Sequence, residues 1–229
     1  MDPLLHQPVV ARQSTAEQVA GLLRDVLLRG EVPPGTKFPE KALAAAYGVS
    51  RNTMREALLV LRGQGLIRHQ LHRGAVVAEL DDDDIVAVMQ ARRTLERAGT
   101  AAATNASQQE LAPLIAAYDE MRAAETAFAF LRADQRFHAA IVGCLKSRHL
   151  DRFFAGIQTE QALVRAWRGE TADRQHTIGS HGAVLQAILD RNGPLADELI
   201  GVLIDNAEKR LRQLASDPTA RSKSNSKQD

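Results

Sequence analysis

Along most of this chain apolar residues recur at the i, i+3, i+4, i+7 spacing of helices that bury one face. Val19, Leu22, Leu23, Val26 and Leu27 make the first such stripe, on a helix predicted from Ser14 or Thr15 to Arg29. Ser14 and Glu17 form a capping box at its start, Gly30 stops it, and Pro33-Pro34-Gly35 bars continuation. A second helix is predicted over Glu40 to Tyr47, turned at Gly48, and a third from its cap at Ser50 to about Gln64. On the third, Met54, Ala57, Leu58 and Leu61 form the buried stripe, while Arg51, Arg55 and Arg62 fall together on an adjacent one. An exposed guanidinium row beside a packed face suits a helix that enters a DNA groove. Leu66 to Gln70 and Ala75 to Glu79 alternate around His72-Arg73-Gly74, the pattern of a β-hairpin and of the wing of a winged helix.

The acidic run Asp81 to Asp84 reads as a linker whose carboxylates cap the next helix. Beyond it the period is helical throughout, predicting helices at about 82–104, 107–123, 125–146, 148–167, 176–191 and 194–214. Ser107 and Glu110 form another capping box, and Pro113 predicts a local kink or a later start there. Arg168 to Arg174 reads as a loop. The expected fold class is therefore mainly α: an N-terminal winged helix-turn-helix domain plus a C-terminal all-α helical bundle. The division is a flexible arm at 1–13, the winged-helix domain at 14–80, the helical domain at 81–214 and a disordered tail at 215–229.

Composition agrees: 45% apolar residues suffice for a sizeable core, and 4% aromatics with abundant Ala and Leu favour helix. The net charge of +1 conceals an asymmetry. Residues 1–78 hold ten Lys/Arg against six Asp/Glu, and the remainder holds nineteen against twenty-two. A basic head on a mildly acidic body fits a nucleic-acid reader joined to a module that does not touch nucleic acid. Cys144, the single cysteine, excludes an internal disulfide and reads as a buried inert thiol. No signal peptide and no membrane-length apolar run are apparent, which points to the cytoplasm.

The segment PPGTKFPEKALAAAYGVSRNTMREALLVLRGQGLI, followed by HRGAVVAEL, resembles the winged-helix domain of GntR-family bacterial transcription regulators. ARRTLERAGTAAA, ADQRFHAAIVG and SHGAVLQAIL, in that order, resemble the all-helical FCD effector domain of the FadR-like branch. The resemblance implies base reading by Arg51 and Arg55, whose guanidinium groups can bridge guanine O6 and N7. Ser50, Asn52 and Thr53 would contact bases or phosphates, and Arg73 and Gly74 would enter the minor groove. Where the family often has an arginine in helix two, this chain has Ala42, with Lys41 beside it as a substitute phosphate contact. Lys37, Arg62 and Arg68 would add phosphate contacts.

The resemblance also implies a divalent metal such as zinc in the bundle, held by an Asp-x-x-x-His pair and two later histidines. Asp134 and His138 match the pair, and His181 matches the next ligand. The fourth position falls on Leu203, and His176 lies one and a half turns before His181. A small organic acid is the expected effector, bound at Asp134, His138 and His181, with Arg92, next to Arg93, to pair its carboxylate. The ordinary alternative for those arginines is an ion pair with Glu96 on the same helix. The function this implies is a ligand-responsive transcriptional regulator, a repressor by family tendency, binding an inverted-repeat DNA operator as a homodimer. A hydrolytic metal enzyme is the first rival, opposed by the lack of a nucleophile, a second metal set or a phosphate-cradling loop. A purely architectural DNA-binding dimer is the second.

Overall fold

The computed structural model describes residues 13–168 and 173–216, so the arm and tail readings lie almost wholly outside the described residues. Local signals set the first elements. Ser14 and Glu17 close a complete capping box on α1 (Thr15–Leu28), whose buried residues are Ala16, Val19, Ala20, Leu23 and Leu27. Leu22, expected in that stripe, is instead exposed. A short α2 (Glu40–Ala46) leads into α3 (Arg51–Gly63), where the Ser50 hydroxyl accepts from the Thr53 backbone N–H at 3.0 Å. Met54, Ala57, Leu58 and Leu61 are all buried, and the three larger of them contribute about 1.5–3 kcal/mol each by leaving water.

The hairpin follows as β1 (Ile67–Gln70) and β2 (Gly74–Val77), antiparallel, with Ile67 opposite Val77 and Gln70 opposite Gly74. Both ends are slightly shorter or shifted relative to the alternating pattern. Gly74 has φ 78°, a backbone that its lack of a Cβ makes easy, and His72 takes φ 63° in the turn. A third edge was not foreseen: Lys37 bridges Val76, with Val77 N–H donating to Thr36 O and Phe38 N–H to Ala75 O, both at 2.9 Å.

The bundle comprises α4 (Asp82–Ala103), α5 (Gln108–Ala123), α6 (Ala127–Gly143), α7 (Arg148–Arg168), α8 (Arg174–Leu189) and α9 (Gly193–Ser216). Asp81 and Asp84 cap α4 as the acidic run predicts. Arg168 and Arg174, expected in a loop, are the last residue of α7 and the first of α8; residues 169–172 lie outside the described residues. The later start foreseen at Pro113 does not occur: α5 begins at Gln108 and runs through it. The Ser107–Glu110 capping box and the buried Leu111, Leu114, Ala117 and Met121 fix the start. Pro113 and Gln109 face solvent, so the carbonyl left without an N–H partner can bond water.

A large core fills the bundle around Met89, Phe137, Ile141, Val184 and Ile204, with a small separate cluster of Val142, Phe154 and Ile157 between α6 and α7. A second core fills the winged helix, and Leu163 of α7 is part of it. Within the bundle, α4 meets α6 at Gly99, where an added Cβ would lie 2.6 Å from the Ile141 carbonyl oxygen. Gly99→Ala is therefore expected to destabilise the protein by about 1–3 kcal/mol, although alanine favours helix, because backbone must move to admit the methyl. Chemical denaturation would check this; an unchanged or raised midpoint would contradict the close contact. Among the described residues no helix is long and apolar enough to cross a membrane.

Candidate functional site

On the winged helix, the α3 side chains divide as the periodicity requires. Arg51, Asn52, Arg55 and Arg62 are exposed outside the packed stripe, and Thr53 is half-buried. The N-terminus of α3 is tied by Ser50 Oγ, 2.9 Å from Thr53 Oγ1, and Asn52 donates to Glu56 at 2.8 Å. Arg55 Nε lies 3.5 Å from Glu40 on α2, a loose pair at a strongly exposed guanidinium. Lys37, Lys41 and Ala42 are exposed. Two wing residues have partners within the chain. Arg73 does not extend from the tip; it donates to Gln70 Oε1 at 3.1 Å and to the Gly35 carbonyl at 3.3 Å. Arg68 is held 2.9 Å from Asp84 at the start of α4, so it braces the head against the bundle.

In the bundle, α6 and α8 bring Asp134, His138 and His181 together, all buried, with one ligand atom from each within 4.8 Å of the others. His181 Nε2 stands 3.1 Å from His138 Nε2 and 3.1 Å from Asp134 Oδ1, and His138 Nε2 is 3.8 Å from that oxygen. The outer nitrogens fix the tautomers. His181 Nδ1 is 2.7 Å from the Thr177 carbonyl, which can only accept, so Nδ1 carries the proton. His138 Nδ1 is 2.6 Å from Glu96 Oε2. Burial alone would raise Glu96, but Arg92 and His138 outweigh it and hold the carboxyl below its ordinary range. Glu96 is thus an acceptor, and His138 Nδ1 donates to it. Burial keeps His138 itself neutral, against the pull of Glu96.

Both Nε2 atoms point towards Asp134, whose carboxyl lies well below its usual value: burial opposes this, and His181, His138 and Arg165 overcome it. Two ring nitrogens and one carboxylate oxygen thus converge on one point. One cation at the centre would satisfy all three. Two nitrogens bound 2.0–2.1 Å from a tetrahedral ion lie about 3.3 Å apart, close to the separation present. The donor set fits a zinc-like ion.

Glu96 forms with Arg92 the ion pair that was the ordinary alternative, but it also holds His138, which sequence reasoning missed. It orients His138, as carboxylates behind metal-bound histidines do. The signal existed: Arg92 and Glu96 continue the buried register of Ile85 and Met89 on α4, where a solvated pair does not belong. Arg92 correspondingly pairs with Glu96 and donates to Gln161 Oε1 at 2.9 Å, so it is engaged rather than waiting for a ligand. Arg93 turns outward to Asp205 and Glu208. His176 is exposed on α8 and takes no part. Leu203, at the fourth expected ligand position, is buried in the apolar core. Cys144, expected to be buried, is half-buried, its thiol raised by that burial.

A small cavity of about 10 Å³ opens beside His138 and Asp134, between α4, α6 and α7. A much wider cleft, about 1230 Å³, lies elsewhere, between the wing, the linker and the end of α9. Several of its charges are matched, Arg93 with Asp205 and Glu208, Arg212 with Asp82, and it lies open, whereas the buried cluster gathers metal-ligating groups and is the better candidate for ligand chemistry.

Comparison with known proteins accords with both surfaces. Residues 15–77 match "Bacterial regulatory proteins, gntR family" and residues 87–206 match the FCD domain. The chain is 28% identical over 212 residues to the galactonate operon transcriptional repressor of Escherichia coli K12, covering 82% of this chain and 93% of that one. It is 36% identical over 87 residues to the gluconate operon transcriptional repressor of Bacillus subtilis 168, covering 38% and 35% of the two chains. A Rhodococcus sp. RHA1 structure described as a transcriptional regulator GntR superposes with a TM-score of 0.74 at 29% identity, over 86% of this chain and 96% of the other. A basic winged head, an all-helical body and both family matches lead to one conclusion: this chain belongs to the GntR family, with an FCD domain behind its DNA-binding domain, and is a transcriptional regulator rather than an enzyme.

Proposed function

We propose that the protein is a homodimeric repressor whose α3 helices read an inverted-repeat operator, and that a small organic acid, held beside a divalent metal such as zinc, modulates that binding. The observation that carries the ligand half is the convergence of His138 Nε2, His181 Nε2 and Asp134 Oδ1 on one buried point. The exposed α3 face carries the DNA half. Arg51 and Arg55 are the guanine readers; Ser50, Asn52 and Thr53 lie at the helix end that faces phosphate and base, and Lys41 supplies a flanking cation. Gly74 and Arg73 form the wing that reaches the minor groove, Arg73 leaving Gln70 and Gly35 to do so. One short helix gives too little affinity alone, which favours two copies on one site.

Within the bundle, Asp134, His138 and His181 would hold the ion, and Glu96 keeps the His138 Nε2 lone pair aimed inward. Zinc in this place would supply a concentrated positive charge with an open position for a carboxylate oxygen. Charge balance supports an acidic effector. With neutral imidazoles, Glu96 and Asp134 are offset by Arg92 and Arg165, so a divalent ion brings two positive charges into a buried site. Two relatives are named for the galactonate and gluconate operons, both polyhydroxy acids, and Gln158 and Gln161 on α7 offer amides suited to hydroxyl groups.

Thermal shift with zinc, then with zinc plus galactonate or gluconate, followed by mobility shift on an operator duplex, tests the reading. Zinc should stabilise, and an acid should add stabilisation and change DNA affinity. Lack of any shift with metals and acids would leave a dimer that only binds DNA. Leu203→His, which adds an imidazole at the fourth position, should raise zinc affinity about tenfold or more. Unchanged zinc titrations of that variant would undo the placement of Leu203 beside the ion.

A further inference from the structure

The α7 helix has two opposite faces with separate employments. At 100° per residue, Gln158, Gln161 and Arg165 share one face, and Glu160 and Leu163 point the other way. The first face closes the cavity beside His138 and Asp134: Gln161 accepts from Arg92 at 2.9 Å, and Gln158 donates to the Gln135 carbonyl at 2.6 Å. The second face is embedded in the winged helix. Leu163 is 2% exposed within its core. Glu160 lies over the turn that ends the recognition helix, its Oε1 2.5 Å from where a Cβ on Gly65 would be. That carboxylate sits at the negative end of the α3 dipole, with Arg68 nearby to offset it.

The cavity has room for about one water. An organic acid has several heavy atoms, so one wall must give way. The α4–α6 wall has no slack, because Gly99 already touches the Ile141 backbone. The remaining wall is α7. We propose that α7 is the coupling element of this regulator: occupancy of the cavity displaces α7, Glu160 passes that displacement directly to the Gly65 turn that ends α3, the recognition helix, and Leu163 carries it into the winged-helix core. Packed interiors transmit such shifts rather than absorb them. Occupancy changes DNA affinity only as far as the displaced arrangement holds ligand more tightly than the original one. The inference rests on the effector-site reading for what enters, but not for how the displacement travels.

A ligand-free test follows from Ala162, which lines the cavity and is 2% exposed. Ala162→Leu in the full chain puts three extra carbons into space for one water and so mimics occupancy. On a duplex selected by the wild-type protein from a random pool, its affinity should change by about fivefold or more with no ligand added. In a Glu160→Ala background, which removes the contact over Gly65, the same substitution should change affinity by less than about twofold. Ala162→Val gives a milder second version should the leucine prevent folding, and circular dichroism reports folding of each. Equal changes in both backgrounds, or none in either, would overturn the proposal. Zinc and gluconate titrations of the same proteins are scored separately. A wild type that binds neither would sink the effector reading while leaving the α7 result intact.

Discussion

Asp134→Asn should abolish most of the stabilisation that zinc confers. The substitution keeps the shape of the side chain and removes the charge that draws a cation between His138 and His181. Losing a metal-ligand charge should weaken affinity at least as much as losing a supporting partner does, so about 100-fold is expected. The consequence is measurable by melting. At a zinc concentration 100 times the dissociation constant, the wild type gains about 2.7 kcal/mol; at a 100-fold weaker constant, the same zinc adds about 0.4 kcal/mol. For a protein of this length the difference corresponds to roughly 5–9 °C in Tm. The asparagine amide can donate to the His181 Nε2 lone pair, so the metal-free protein should not lose its fold. Equal zinc shifts in both proteins would mean that the ion binds elsewhere.

Arg51→Ala should cost about 1–3 kcal/mol in operator binding and relax one base position. The argument is geometric: Arg51 is exposed in the first turn of α3, beside a packed stripe that fixes its direction. Affinity for a scrambled duplex should fall far less, because base readout contributes little there. Mobility shifts on both duplexes decide between the roles. Equal losses on each would mean that Arg51 touches only phosphate, and the salt slope would then drop by about one. Arg55 should give a smaller loss, since Glu40 already holds part of its charge at 3.5 Å.

Much of this was legible in the residues, and the exceptions have physical reasons. The α3 stripe, the Ser14, Ser107 and Ser50 caps and the acidic start of α4 are local patterns, and local patterns survive folding. The third strand contact at Lys37 could not be read, because a single bridge next to two prolines has no alternation. The histidine partner Glu96 is 42 residues from His138 in sequence, and only the crossing of α4 over α6 joins them. The folding back of Arg73 depends on a carbonyl 38 residues away. Pro113 misled because a missing backbone donor is costly only where water cannot replace it. The two-faced character of α7 was hidden because its buried positions serve two different cores, so no single stripe emerges.

Residues 78–81 alone join the wing to α4, and both ends of that join are tied down, Ala78 to Leu66 through the backbone and Arg68 to Asp84 through charge. Four residues reach at most about 14 Å even when pulled straight. In a two-fold assembly the heads would therefore hang from the bodies on a leash shorter than half a helical turn of duplex. The distance between the operator's two arms would then be dictated by the protein's own skeleton, with the duplex obliged to bend or be refused.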